Sequence, residues 1–293
     1  MLGTRLHIMP YSRRYRSDLL DLCWYSQWTH KHLDWYTTSR WLDRDDVLVF
    51  LAWEAEKLVG YIGLSPENYG TSWIRLMGLR DGFMPETIVR ELWQCAEAKC
   101  LELGISNIMV LMVTNWLPAY LRDYGFIYWD DIITFNYLGD YDPHQPDPAL
   151  KVRPAEMERL PAIARVDRMA FRHNFRLSQI DLRQALRIAA AATIAEYEGE
   201  IVGYQVSTRH CEVGHLARLA VIPGMQRRNI GSALLQRQLG DFEQRGITAI
   251  SVNTQLSNVP SQRLYQRYGF FRTGFDLEIW NKRLPRPSSA KTK

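Results

Sequence analysis

Only four of the 293 residues are cysteine (Cys23, Cys95, Cys100 and Cys211), and no two form a Cys-x-x-Cys pair. A disulfide scaffold and the usual zinc or dithiol motifs are thereby excluded, and a reducing compartment, the cytoplasm, is expected. Long apolar runs are missing too. No stretch approaches the roughly 20 apolar residues of a membrane helix, so no membrane partner is expected. The arginine-rich stretch from Met1 to Asp18 lacks the apolar core of a secretory signal. His30 and His32 stand two apart, which on a helix puts them on different faces, and no metal site is expected. No stripe of arginines interleaved with stacking aromatics appears, so nucleic acid is not an expected partner.

What is present reads as globular: 46% hydrophobic and 23% charged residues, at a length that suits two domains. Charge divides unevenly. Residues 1–150 carry 13 Lys/Arg against 20 Asp/Glu, a balance of −7, whereas residues 151–293 carry 23 against 12, a balance of +11. An anionic ligand should prefer the second half. Nine of the ten tryptophans precede residue 130. Trp24 and Trp28 lie at i and i+4 of a helix expected over 18–32, with Trp35 and Trp41 following. Such a stripe reads as core. The alternatives are one wall of an acceptor cleft, or a face packing against the second half or another subunit in a homodimer.

Landmarks recur at a nearly constant offset. Pro10 answers Pro154, Val59-Gly60-Tyr61 answers Val202-Gly203-Tyr204, and Gly104-Ile105 answers Gly246-Ile247. Asn115 answers Asn258, and Tyr124-Gly125-Phe126 answers Tyr268-Gly269-Phe270, all between 142 and 144 residues apart. Five matches in one order indicate two copies of one domain, each with its own core. The expected organisation is a first domain over 1–139, a proline-rich linker over 140–149, a second domain over 150–284 and a disordered tail over 285–293.

In the second copy, helices are expected over 161–171, 178–192, 229–245 and 260–268. Strands are expected over 193–197, 201–207, 214–221, 247–252 and 271–280. Helices, a meander, then alternating strands and helices make an α/β fold with a mixed sheet.

The chemistry concentrates at Leu219-Ala-Val-Ile-Pro-Gly-Met-Gln-Arg-Arg-Asn-Ile-Gly-Ser232. A strand ends, a turn follows and a helix opens on small residues. The first N–H groups of that helix have no internal partner and, with the helix dipole, form an anion site beside Arg227 and Arg228. No Gly-Lys-Ser/Thr follows, and the Gly-x-Gly-x-x-Gly pattern is absent, so neither nucleotide loop applies.

Three pieces stand in order here: Leu219, Val221 and Pro223; then Gln226-Arg-Arg-Asn-Ile-Gly231; then Asn258-Val-Pro-Ser261, with Leu264-Tyr265 and Gly269-Phe270. In this, residues 150–280 resemble the GNAT superfamily of acetyl-CoA-dependent N-acetyltransferases. The resemblance implies two tandem GNAT-like domains, each a mixed, mostly antiparallel sheet flanked by helices. It implies backbone contacts from Leu219, Ala220 and Val221 to the acetyl and pantetheine groups. A pyrophosphate would be wrapped by Gln226, Arg227, Arg228, Asn229, Ile230, Gly231 and Ser232. Asn258 would contact the pantetheine arm, with Ser261 beside it, and Tyr265 would protonate the departing thiolate. Two positions depart from the family pattern. Asn229 replaces a glycine, yet asparagine tolerates left-handed backbone, and Ser261 replaces alanine.

A base is needed to take the amine's proton. Strand alternation puts His215, Ala217, Leu219 and Val221 on one face, and His215 stands where the family often has its base. Glu212 and ordered water are the alternatives. The first half looks degenerate. Its counterpart of the phosphate loop is Gly82-Phe-Met-Pro-Glu-Thr87, with Pro85 lacking a donor and Glu86 repelling phosphate, and Leu121 replaces the tyrosine. The expected activity is direct transfer of an acetyl group to an amine of unknown identity, with acetyl-CoA in the C-terminal half and the first half shaping acceptor choice. The alternative is a non-catalytic acyl-CoA sensor or interaction protein.

Overall fold

The computed structural model describes residues 6–285 apart from 140, 142, 144 and 146. The expected tail beyond 285 and those four linker positions lie outside the described residues. Two compact units form. One runs to Trp129 and resumes at Glu278; the other is Asp130–Leu277.

The first unit contains β1 (His7–Pro10), α1 (Arg16–Tyr25), β2 (Trp28–Lys31), α2 (Thr38–Leu42), β3 (Leu48–Glu54), β4 (Lys57–Leu64) and β5 (Thr71–Leu79). It continues with α3 (Pro85–Glu102), β6 (Asn107–Leu111), α4 (Leu117–Leu121) and the start of β7 (Ile127–Tyr137). The second contains the rest of β7, β8 (Leu150–Pro154), α5 (Leu160–Ala170), α6 (Gln179–Ile188), β9 (Ala191–Tyr197), β10 (Glu200–His210) and β11 (Val213–Val221). It ends with α7 (Ile230–Glu243), β12 (Ala249–Gln255), α8 (Val259–Arg267) and the first part of β13 (Phe270–Arg283).

Each unit has the same plan. Antiparallel strands β1-β3-β4-β5 lead to a parallel β5–β6 pair in the first, and β8-β9-β10-β11 lead to a parallel β11–β12 pair in the second. The last strand of each sheet comes from the other half of the sequence. Ile279 to Arg283 of β13 pair with β6, while Ile132 to Asn136 of β7 pair with β12. The units therefore divide at 129/130 and 277/278 rather than within 140–149. The physical reason is the repeat itself. Both halves end in Tyr-Gly-Phe followed by a strand, so either final strand satisfies either sheet's last edge.

The repeated Val-Gly-Tyr is explained by the two faces of each sheet. A Cβ on Gly203 would lie 3.1 Å from Leu234 Cδ1 on α7, and one on Gly60 would lie 2.5 Å from Ile88 Cγ2 on α3, so only glycine lets these long helices sit close. The neighbouring tyrosines, both fully buried, point to the opposite face. Tyr61 donates to Cys23 Sγ on α1 (3.1 Å) and Tyr204 to Asp167 Oδ2 on α5 (2.5 Å). In the second unit, Leu216, Leu235, Leu239, Phe242, Ile250 and Val252 form a core between sheet and α7, which Tyr265 and Phe270 complete.

Two local expectations were overridden by strand pairing. The helix expected over 18–32 stops at Tyr25, because Trp28–Lys31 pair with Leu79–Leu76 of β5. Trp24 is left 78% exposed and is no part of a core, while Trp41 is buried. The alanine-rich end of the helix expected to reach 192 is instead β9, with Ala191 opposite Ser207. Propensity is a weak prior against a sheet edge that needs a partner. No helix among the described residues is long and apolar enough to cross a membrane.

Candidate functional site

The register of β10 against β11 slips once. Val206 faces Arg218 but Ser207 faces Leu216, which leaves Ala217 as the extra residue of a β-bulge. A bulge resets alternation. Before it, Gly214 abuts Phe242 and Leu216 joins the core under α7. After it, Leu219 and Val221 turn to that same side, each within 4.0 Å of where a Cβ on Gly231 would sit. His215 is thus on the opposite face from Leu219 and Val221, which corrects the expectation that all four share one.

The bulge coincides with a parting of strands. β11 and β12 pair only over Val213–Leu216 and Ala249–Val252. Beyond that, β11 retains β10 alone. Ile222 N donates to Val202 O at 2.9 Å, so by antiparallel alternation Arg218 and Ala220 direct their backbone toward β10 while Leu219 and Val221 direct theirs to the free edge. Val221 O already accepts from Gln226 Nε2 at 3.1 Å across that edge. Of the three residues expected to offer backbone to the acetyl and pantetheine groups, Leu219 and Val221 turn theirs to the edge that β12 leaves, whereas Ala220 turns its backbone to β10 and its small side chain is buried.

The free edge leads into the anion loop. Arg227 (φ 61) and Asn229 (φ 59) are both left-handed, so Asn229 adopts the backbone that a glycine would supply. Asn229 O accepts from Ala233 N, the first bond of α7, and Asn229 makes no side-chain cap. The N–H groups of Ile230, Gly231 and Ser232 therefore have no partner within the helix. Arg227 and Arg228 are exposed beside them.

Helix α8 closes the other side. Asn258 caps it, its Oδ1 accepting from Ser261 N at 3.4 Å and its Nδ2 donating to Thr254 Oγ1 at 3.2 Å. Leu264 Cδ2 would lie 3.3 Å from a Cβ on Gly231, which brings α8 against the first turn of α7. Tyr265 is buried, with the rings of Phe135 and Phe270 at 6.1 and 5.9 Å. Burial raises its pKa, opposed in part by a hydrogen bond with the Ser261 side chain. The phenol stays protonated at any working pH.

On the other face, His215 Nδ1 is 2.9 Å from Ser251 Oγ, and burial lowers the imidazole's pKa below 6.5. Two further residues there escaped the sequence reading, Asp167 and Arg218. Asp167 on α5 takes Tyr204 OH, Arg218 Nε at 2.6 Å and Leu177 N at 2.9 Å. Arg218 also donates to Phe175 O at 2.7 Å and lies 3.7 Å above the Phe171 ring. This network fastens the α5–α6 loop to the strand residue preceding Leu219. One acid among the apolar positions of α5, and one arginine inside β11, were the available signals.

In the first unit the same features are filled or altered. β5 bulges at Arg75, between Gly63–Leu76 and Leu64–Ile74, and parts from β6 after Trp73. Its vacated edge, Leu76–Leu79, is taken by β2. Pro85 opens α3, and Leu121 is buried where the second unit has Tyr265. His30 and His32 fall on and just after β2, not on a helix. His30 is fully buried, which pushes its pKa down to about 3, with a smaller contribution from His32. His32 Nε2 contacts Asp34 at 2.8 Å, and Arg75 contacts the same carboxylate at 2.9 Å.

Comparison with known proteins bears on the fold and the family. A GCN5-related N-acetyltransferase from Sphaerobacter thermophilus superposes with a TM-score of 0.63 at 16% identity, over 98% of both chains. A tandem GNAT protein from the clavulanic acid biosynthesis pathway superposes with a TM-score of 0.63 at 14% identity, over 97% of this chain and 100% of the other. Among curated proteins, the spore coat polysaccharide biosynthesis protein SpsD of Bacillus subtilis is 33% identical over 82 residues, 28% of each chain. The N-alpha-acetyltransferase of Sulfurisphaera tokodaii is 26% identical over 134 residues, 41% of this chain and 79% of that protein. Residues 15–126 and 160–270 each match the Acetyltransferase (GNAT) family. Both halves match separately and the fold is that of tandem GNAT structures, so the chain belongs to the GNAT acetyltransferase family.

Proposed function

We propose that the protein is an acetyl-CoA-dependent N-acetyltransferase whose single donor site lies in the second unit. The observation that carries this reading is the backbone edge of Leu219 and Val221, which β12 leaves without a strand partner, running into the N–H groups of Ile230 to Ser232 that have no partner within the helix. An amide-bearing arm fits the first and a diphosphate the second. The first unit supports one site rather than two, because β2 occupies its edge and Pro85 removes a donor.

Bound acetyl-CoA would supply an acyl carbon activated as a thioester. His215, neutral at pH 7, takes the proton from the acceptor amine as the C–N bond forms. Tyr265 holds a proton that the departing sulfur would take as it leaves with the electron pair of the C–S bond.

Calorimetry should give one acetyl-CoA per chain. Arg227→Glu together with Arg228→Glu should weaken binding most at low salt, where charge attraction is least screened. Two equivalent sites, or none, would overturn the assignment. One site without thiol release across an amine panel would favour an acyl-CoA sensor.

The base makes its own prediction. The active form of His215 is neutral, so kcat/KM should rise with pH through its pKa and level off above it. Burial places that limb below 6.5. His215→Ala should abolish the limb; its persistence at the same pH would assign the proton to water or to the acceptor's own titration.

A further inference from the structure

The two faces of the second unit's sheet carry separate cation clusters, and the donor site uses only one. Arg227 and Arg228 belong to the α7 face. The α5–α6 hairpin lies on the other, as Tyr204 and Asp167 show against Gly203 and Leu234. Residues 160–188 hold six arginines (165, 168, 172, 176, 183 and 187) and two acids, Asp167 and Asp181. Asp167 is consumed by Arg218, and Asp181 is engaged with Ser178 Oγ at 2.7 Å. The loop between the helices carries Arg172, His173 and Arg176 with no acid. Arg172 and His173 are exposed, and their side chains have no ion-pair or hydrogen-bond partner among the described residues.

This loop is held in place. Its two phenylalanines flank the Arg218 guanidinium, Phe171 by ring contact and Phe175 through its carbonyl, with Arg172 and His173 between them. Arg218 is adjacent to Leu219 on the free edge and shares its face with His215, the face from which an amine would approach. From this placement we infer that the acceptor is a small amine that also bears an anionic group, a carboxylate or a phosphate, held by Arg172 and His173. The inference rests on the transferase reading. A guanidinium offers a fork that suits either anion, and an imidazole N–H adds a second donor. With both in place, the amine nitrogen is turned toward His215 and the thioester.

The test uses the full chain saturated with CoA, whose binding is first established by calorimetry; failure there sinks the transferase reading itself. Glycine is then compared with glycinamide, and phosphoethanolamine with ethanolamine, by NMR of the His173 ring, assigned with His173→Gln. The member of at least one pair that bears the carboxylate or phosphate should raise the His173 pKa by about half a unit or more, roughly a threefold change in its protonation equilibrium, while its partner without that anion does not. Which pair responds separates carboxylate from phosphate. Arg172→Gln should remove the shift without altering CoA affinity. Equal responses within both pairs, no response, or a shift that survives Arg172→Gln would overturn the inference.

Discussion

Tyr265→Phe is expected to lower kcat by about 100-fold or more, the usual size of a lost general acid, while leaving acetyl-CoA affinity nearly unchanged. The ring is buried against Phe135 and Phe270, so phenylalanine keeps the packing. What disappears is one proton donor and its hydrogen bond with Ser261. A hundredfold loss corresponds to about 2.7 kcal/mol of barrier, more than a single net hydrogen bond contributes to stability, which separates a chemical effect from a folding one. The measurement is kcat at saturating amine, with single-turnover kinetics showing that transfer limits the rate, and calorimetry for acetyl-CoA. If kcat holds under those conditions, Tyr265 is a packing residue.

How far the sequence carried this reading depended on what each residue does. The loop was legible because its requirements are local. Small residues at Gly231 and Ser232 and a left-handed position at Asn229 are backbone needs, and the fold meets them where the sequence placed them. The repeat was legible for the same reason, since Gly60 and Gly203 mark the closest approach of a helix to each sheet. Features that depend on partners distant in sequence were hidden. Nothing in Leu216-Ala217-Arg218 announces a bulge, so alternation misplaced His215 relative to Leu219. Nothing in Trp24 to Lys31 says that β5 will have a free edge, so a helix was expected where β2 forms. The exchange of final strands was hidden because the repeats are alike. Asp167 and Arg218 read separately as an ordinary helix acid and an ordinary strand cation; only their meeting, 51 residues apart, gives them meaning.

That meeting yields the largest expected stability effect. Arg218→Met should destabilise the second unit by about 3–5 kcal/mol, the cost of leaving a buried charge without its partner. The Asp167 side chain is 1% exposed and that of Arg218 11%, so water replaces little of what is lost. Tyr204 OH and Leu177 N would remain on the carboxylate, but both are neutral donors. Asp167→Asn in the Arg218→Met background removes the stranded charge and should recover much of the loss. The double variant should therefore be more stable than the sum of the single effects allows. Urea unfolding of the two single variants and the double variant gives the coupling directly; additive effects would reduce the network to independent contacts. Function should follow separately from stability. Arg218 also holds Phe175 O, so at temperatures where the variant stays folded the α5–α6 loop should exchange its amide protons faster. On the proposed reading the amine approaches from the loop's face, so the KM for the amine should then rise while acetyl-CoA affinity is kept, because the free edge of Leu219 and Val221 does not depend on the loop.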